Sequence, residues 1–149
     1  MKPKKKKKGF TLIELLVVIA IIGILSSIVF FAMRGATSRA RDTKIISAMS
    51  QLRSLAELYY NDHNARYADF CSSTMPELRT ALDEIDISNG NKAPAACFDS
   101  ADSYCIKAQL NNDNWWCIDS TAVSKQCTNG EPTDCNGTTF TCGPATACP

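Results

Sequence analysis

Phe10-Thr11-Leu12-Ile13-Glu14-Leu15-Leu16-Val17-Val18-Ile19-Ala20-Ile21-Ile22-Gly23-Ile24-Leu25 opens an apolar run that continues to Met33 and decides the fold. Those 24 residues contain no proline and a single charge, Glu14. As a helix rising about 1.5 Å per residue, the run reaches roughly 36 Å, enough to cross a hydrocarbon layer about 30 Å thick. Its aliphatic residues leave no polar face. A helix apolar all round belongs in lipid or in a large core, and a chain of 149 residues has no such core to offer.

Charge is distributed to match. The formal net charge is +1, yet six of the 16 cations are Lys2 and Lys4 to Lys8, directly before the apolar run. From Ser54 onward there are 5 cations against 13 anions, a net of −8. The lysine block predicts a cytoplasmic N-terminus, with everything after the helix outside, although Arg34, Arg39, Arg41 and Lys44 oppose it. An acidic folded part disfavours nucleic-acid binding, because phosphate contacts need cations. One histidine, His63, and no Cys-x-x-Cys argue against an imidazole triad or a zinc ribbon. His63 reads as a solvated residue at a helix end.

Working outward, no proline interrupts Ala36 to Tyr60, so the helix is expected to run on to about Asp62. Ile45, Met49, Leu52, Ala56 and Tyr59, widened by Ala48 and Leu55, form one apolar stripe along its second half. Thr74-Met75-Pro76-Glu77 has the form of a capping box and predicts a short helix to about Ile85. Asn89 to Pro94 reads as a loop. Ser103 to Leu110 alternates, with Tyr104, Ile106, Ala108 and Leu110 on one face, and Trp115 to Asp119 returns as the second strand of a hairpin. Trp115 and Trp116 alternate there, so one packs inward and the other faces out. Beyond Lys125 aliphatic residues nearly vanish, and order must come from disulfides.

The divisions expected are 1–9 as a basic leader, 10–33 as the lipid helix, 34–62 as its amphipathic half, 63–124 as a globular head and 125–149 as a cysteine-rich tail. The fold class is α+β: a long N-terminal helix packed on a small antiparallel sheet. All eight cysteines, Cys71, Cys97, Cys105, Cys117, Cys127, Cys135, Cys142 and Cys148, lie after the helix, where an oxidising compartment would make four disulfides. Eight cysteines allow 105 pairings. Cys105 with Cys117 across the hairpin, or Cys97 with Cys117, are two equal expectations. No cofactor is expected; Asp113, Asp119 and Asp134 are the carboxylates open to calcium, without EF-hand spacing. Asn136-Gly137-Thr138 has the form of an N-glycosylation sequon, a pattern that also arises by chance.

Lys8-Gly9-Phe10-Thr11-Leu12-Ile13-Glu14 followed by the apolar run closely resembles the class III signal of type IV pilins and type II secretion pseudopilins. That resemblance covers about 30 residues and implies cleavage between Gly9 and Phe10 by a prepilin peptidase, with N-methylation of Phe10. It also implies that Glu14 pairs with the N-terminal amine of a neighbouring subunit. The expected protein is a structural, non-enzymatic subunit of a type IV pilus-like filament, held in the cytoplasmic membrane until the pilus or secretion machinery assembles it outside. Alternatives are a type II secretion or DNA-uptake pseudopilin and, from another class, a single-pass membrane-anchored extracellular binding protein. The helix-kinking proline of many major pilins is absent, Phe31 standing near that place, which leaves pilin and pseudopilin both open.

Overall fold

The computed structural model describes residues 9–72, 74–128 and 130–143; Lys2, Lys4 to Lys8 and Cys148 lie outside the described residues. Helix α1 spans Leu12–Asp62 and α2 spans Pro76–Ser88. Four strands follow, β1 (Ala96–Asp99), β2 (Tyr104–Gln109), β3 (Trp115–Asp119) and β4 (Ser124–Cys127), paired antiparallel in chain order. The chain divides into two units after Thr37.

In the first unit every residue from Phe10 to Phe31 is exposed. The few polar side chains there are satisfied within the helix. Ser26 Oγ donates to Ile22 O at 2.7 Å and Ser27 Oγ to Gly23 O at 2.9 Å. That is the arrangement an apolar solvent demands, since no water is present to take an unpaired hydroxyl.

In the second unit the apolar stripe of α1 makes the core as its spacing predicts. Ile45, Met49, Leu52 and Ala56 are fully buried, with Ala48 and Tyr59 nearly so, while Leu55 is half-buried at the edge. They pack with Leu78 and Ile85 of α2 and with Tyr104, Ile106, Ala108, Leu110 and Ile118 from one face of the sheet. Helix α1 ends where Ala65 N–H donates to Tyr60 O at 3.0 Å, with Asn64 and Ala65 both left-handed at φ 57°. Asp99 on β1 then holds the outgoing loop, its carboxylate accepting from Asp69 N at 2.8 Å and Cys71 N at 3.1 Å.

Three polar contacts tie distant segments to this core. Asp42 on α1 accepts from the backbone and side chain of Asn111, which fixes the β2–β3 loop. Asp86 on α2 accepts from Ala95 N at 2.7 Å, just before β1. Asn89 is buried at the end of α2 and donates to Ala93 O at 2.8 Å.

Several expectations change. No capping box forms at Thr74: the N-cap of α2 is Met75 and makes no side-chain cap bond, the fixed φ of Pro76 serving the first turn instead. Helix α2 continues to Ser88, three residues past Ile85. The hairpin is the centre of a larger sheet, because Ala96–Asp99 and Ser124–Cys127 add edge strands. Neither tryptophan faces out. Trp116 is half-buried against the helix-side core, while Trp115 is buried on the opposite face of the sheet.

That opposite face explains the tail. It carries Cys105, Lys107, Trp115, Cys117 and Cys127, which pack with Cys135 and Cys142. Cys105 bonds to Cys135 and Cys117 to Cys142, while Cys71 bonds to Cys97. Cys127 is also disulfide-bonded. Both expected pairings of Cys117 are therefore wrong. In the sheet Cys105 stands opposite Asp119 and Cys117 opposite Lys107, so the two cysteines are diagonal neighbours. Each reaches up to the tail.

Candidate functional site

Gly9, Phe10 and Thr11 precede the first turn of α1, and Phe10 is 84% exposed. The helix begins at Leu12, which makes Thr11 its N-cap and Glu14 its third residue. Thr11 N–H donates to Glu14 Oε2 at 2.8 Å and Thr11 Oγ1 donates to the same oxygen at 2.6 Å. In return Glu14 N–H donates to Thr11 Oγ1 at 3.3 Å. This is a reciprocal capping box, in which each side chain satisfies a backbone donor that the first turn leaves unpaired. The carboxylate also meets the positive end of the helix dipole.

One carboxylate in a wholly apolar segment is costly in lipid, by several kcal/mol if unneutralised, so its local partners matter. The box answers the backbone donors but brings no cation to Glu14. The role of Thr11 was legible in the Thr-x-x-Glu spacing, although the resemblance directs attention to Glu14 alone. Glu14 Oε1 has no hydrogen bond among the described residues, and the surface around it is formed by Phe10, Ile13, Val17 and Val18. Chemically the segment offers an exposed Phe10 before a helix start, an anion, and a surface of exposed aliphatic side chains.

Among the described residues, the other side chains singled out in the sequence do not form a reactive centre. His63 stacks on Tyr59 with ring centroids 3.7 Å apart, and its Nδ1 lies 2.9 Å from Tyr59 O, to which it donates. Asp113 pairs with Lys92 at 2.6 Å. Asp119 is buried, and its two oxygens accept from Thr121, Val123 and Cys142 N, locking the β3–β4 turn to the tail. Among the described residues no three His, Cys, Asp or Glu side chains group as a metal site. The sequence reading passed over Lys107, which is buried on β2, lies 5.5 Å over the Phe98 ring and reaches Glu131 at 2.8 Å and Pro132 O at 3.3 Å. A lysine inside a strand of alternating apolar residues was its signal; only the tail's return explains it.

Residues 4–30 match the prokaryotic N-terminal methylation motif. The chain is 30% identical to the type IV wide pilus major component PilA4 of Thermus thermophilus, over 75% of this chain and 80% of that relative. It is 34% identical to the type IV major pilin protein PilE1 of Neisseria gonorrhoeae, over 56% and 54% of the two chains. To the type II secretion system core protein G of Klebsiella michiganensis it is 39% identical, over 43% and 44%. No solved structure matches. An exposed apolar helix with a capped glutamate, a helix-packed antiparallel sheet and a relative matched over most of both chains lead to one assignment: this chain belongs to the type IV pilin family.

Proposed function

We propose that this chain is a structural subunit of a type IV pilus-like extracellular filament. It enters the cytoplasmic membrane through Phe10 to Met33 with its lysines inside. A prepilin peptidase hydrolyses the Gly9–Phe10 bond, the Phe10 amine is methylated, and assembly machinery draws the subunit into the filament. It acts by packing and catalyses no reaction.

One observation carries the reading: Glu14 is the sole charge between Phe10 and Met33, and every residue from Phe10 to Phe31 is exposed. Cleavage creates a cationic amine at Phe10, four residues before that carboxylate. In an apolar bundle the amine of one subunit and the carboxylate of its neighbour are each costly alone, and together they select one axial register. Lipid supplies no net hydrophobic drive between helices, so this pair and close packing set association. Outside the membrane the same aliphatic surfaces bury one another.

Mass spectrometry of surface filaments tests this. The chain should begin at Phe10 and carry one added methyl group. A surface form that retains Met1, or that is cut near Ser26, overturns the proposal. Glu14→Ala should still be inserted and cleaved but yield little sheared filament; normal filament yield at equal processing would show that packing alone drives assembly.

A further inference from the structure

The tail returns to the sheet at Cys135, which is bonded to Cys105 and bridges to Phe140. Between those two residues runs Asn136-Gly137-Thr138-Thr139, in which Gly137, Thr138 and Thr139 are exposed and Asn136 is half-buried. Asn136-Gly137-Thr138 is the only Asn-x-Ser/Thr in the whole sequence. Its base is pinned to a buried strand and its tip stands in solvent.

A carboxamide nitrogen is a weak nucleophile because its lone pair is delocalised onto oxygen. Here the Asn136 oxygen is unusually well supplied with donors. Oδ1 accepts from Thr138 Oγ1 at 2.6 Å, Thr138 N at 2.8 Å and Thr139 N at 3.0 Å. Donors placed on an oxygen stabilise negative charge that develops there, as in an oxyanion site. Loss of one Nδ2 proton then leaves charge on Oδ1 and a localised lone pair on nitrogen. Nδ2 donates one of its two hydrogens to Thr133 O, which leaves the other for removal. Asp134, half-buried two residues earlier, adds an anionic side chain by which a transferase with a cationic subsite can select this asparagine.

We propose that Asn136 is an N-glycosylation site, the acceptor for an oligosaccharide carried on a lipid pyrophosphate. The Nδ2–C1 bond forms as the bond from sugar C1 to the pyrophosphate oxygen breaks. The lipid pyrophosphate leaves as an anion, and the Nδ2 proton passes to a base of the transferase. No oxidation occurs. The inference rests on the reading that the head lies outside the cytoplasm. The sugar would cover a stretch of tail that buries little beyond its cysteines.

The test uses filaments from cells that make the protein, reduced and digested with trypsin. Trypsin cuts after Lys125 and no Lys or Arg lies between Gln126 and Pro149, so Asn136 lies in the peptide that begins at Gln126. That peptide should be heavier than its sequence by a sum of monosaccharide masses, with fragmentation placing the sugar on Asn136. The increment should vanish in Asn136→Gln and Thr138→Ala and persist in Thr138→Ser, which keeps the hydroxyl and controls for a misfolded loop. An unmodified peptide in a chain that begins at methylated Phe10 overturns this proposal and leaves the filament reading standing. A sugar on a Ser or Thr, or one retained in Thr138→Ala, also overturns it. An unmodified chain that keeps Met1 overturns both.

Discussion

Thr11 and Glu14 close on each other at the start of α1, the hydroxyl and amide of Thr11 both donating to one carboxylate oxygen, at 2.6 and 2.8 Å. The glutamate is therefore bound within its own subunit before any neighbour arrives. Its charge and its capping are separable. Glutamine can serve in a capping box but carries no charge. Glu14→Gln, like Glu14→Ala, should cut sheared filament at least tenfold, because one-sided loss of a buried pair costs roughly 3–5 kcal/mol. Thr11→Val removes the cap and keeps the charge, and should cost only about 0.5–2 kcal/mol, with filament yield reduced but not lost. Normal yield from Glu14→Gln would assign the residue to capping alone.

The disulfides divide the head between its two faces. Peptide mapping without reduction should recover Cys71–Cys97, Cys105–Cys135 and Cys117–Cys142. Replacing Cys105 and Cys135 together by serine opens a link across 30 residues and should lower stability by about 3–4 kcal/mol on the chain-entropy view. Proteolysis of the double variant should begin in the tail between Cys127 and Cys142, where the Cys117–Cys142 bond fixes only the far end and Lys107 is left to hold Glu131 and Pro132. A Cys105–Cys117 peptide would refute this arrangement of the two faces.

Buried tyrosines should set the alkaline limit of the head. Burial raises the phenols of Tyr59, Tyr67 and Tyr104 above their usual range, with nearby carboxylates adding to the effect. The folded chain then keeps these protons at a pH where the unfolded chain loses them. The stability they contribute is complete below about pH 10 and is lost as pH rises through the folded values. Thermal unfolding of the full chain in detergent should show the midpoint falling above that pH. Tyr104 Oη is buried without a hydrogen-bond partner among the described residues, so Tyr104→Phe should hold or raise the midpoint and flatten the alkaline decline. Tyr59 Oη donates to Ala68 O at 2.7 Å, and Tyr59→Phe should cost about 1 kcal/mol. Equal losses in both variants would count against the unpaired hydroxyl.

Asp42 holds the β2–β3 loop by accepting from Asn111 N at 2.7 Å and Asn111 Nδ2 at 2.9 Å. Asp42→Ala leaves both donors without that acceptor and should cost about 1–3 kcal/mol. Amide exchange should rise first at Asn111 to Asn114, before the strands open. Exchange unchanged in that loop would show that the turn bonds of Leu110 with Asn114 suffice.

The two central strands were readable because Tyr104, Ile106, Ala108 and Leu110 alternate against one helix stripe. The edge strands were not. Ala96–Asp99 opens with three apolar residues in a row, and Ser124–Cys127 is almost wholly polar, so neither sequence shows an apolar period of two. Their order comes from pairing with β2 and β3, a non-local gain that composition does not record. Asp119 and Lys107 were obscured for a related reason: each is buried only because the tail folds back over the outer face.

What the sequence alone determined is local or compositional. The uninterrupted apolar run, the lysines before it and the 3.6-residue period of Ile45 to Tyr59 specify a helix with one half suited to lipid and the other to a core, since rise, periodicity and transfer energy act through near neighbours. The cysteine content likewise required a disulfide-ordered tail. Only the tertiary structure decided which cysteines meet, which face each tryptophan takes and why a lysine is buried in β2. A diagonal step in the sheet brings Cys105 and Cys117 close without pairing them, and the returning tail supplies their partners. Contacts between residues 25 and 30 apart depend on how the whole sheet is covered, and no local pattern encodes that.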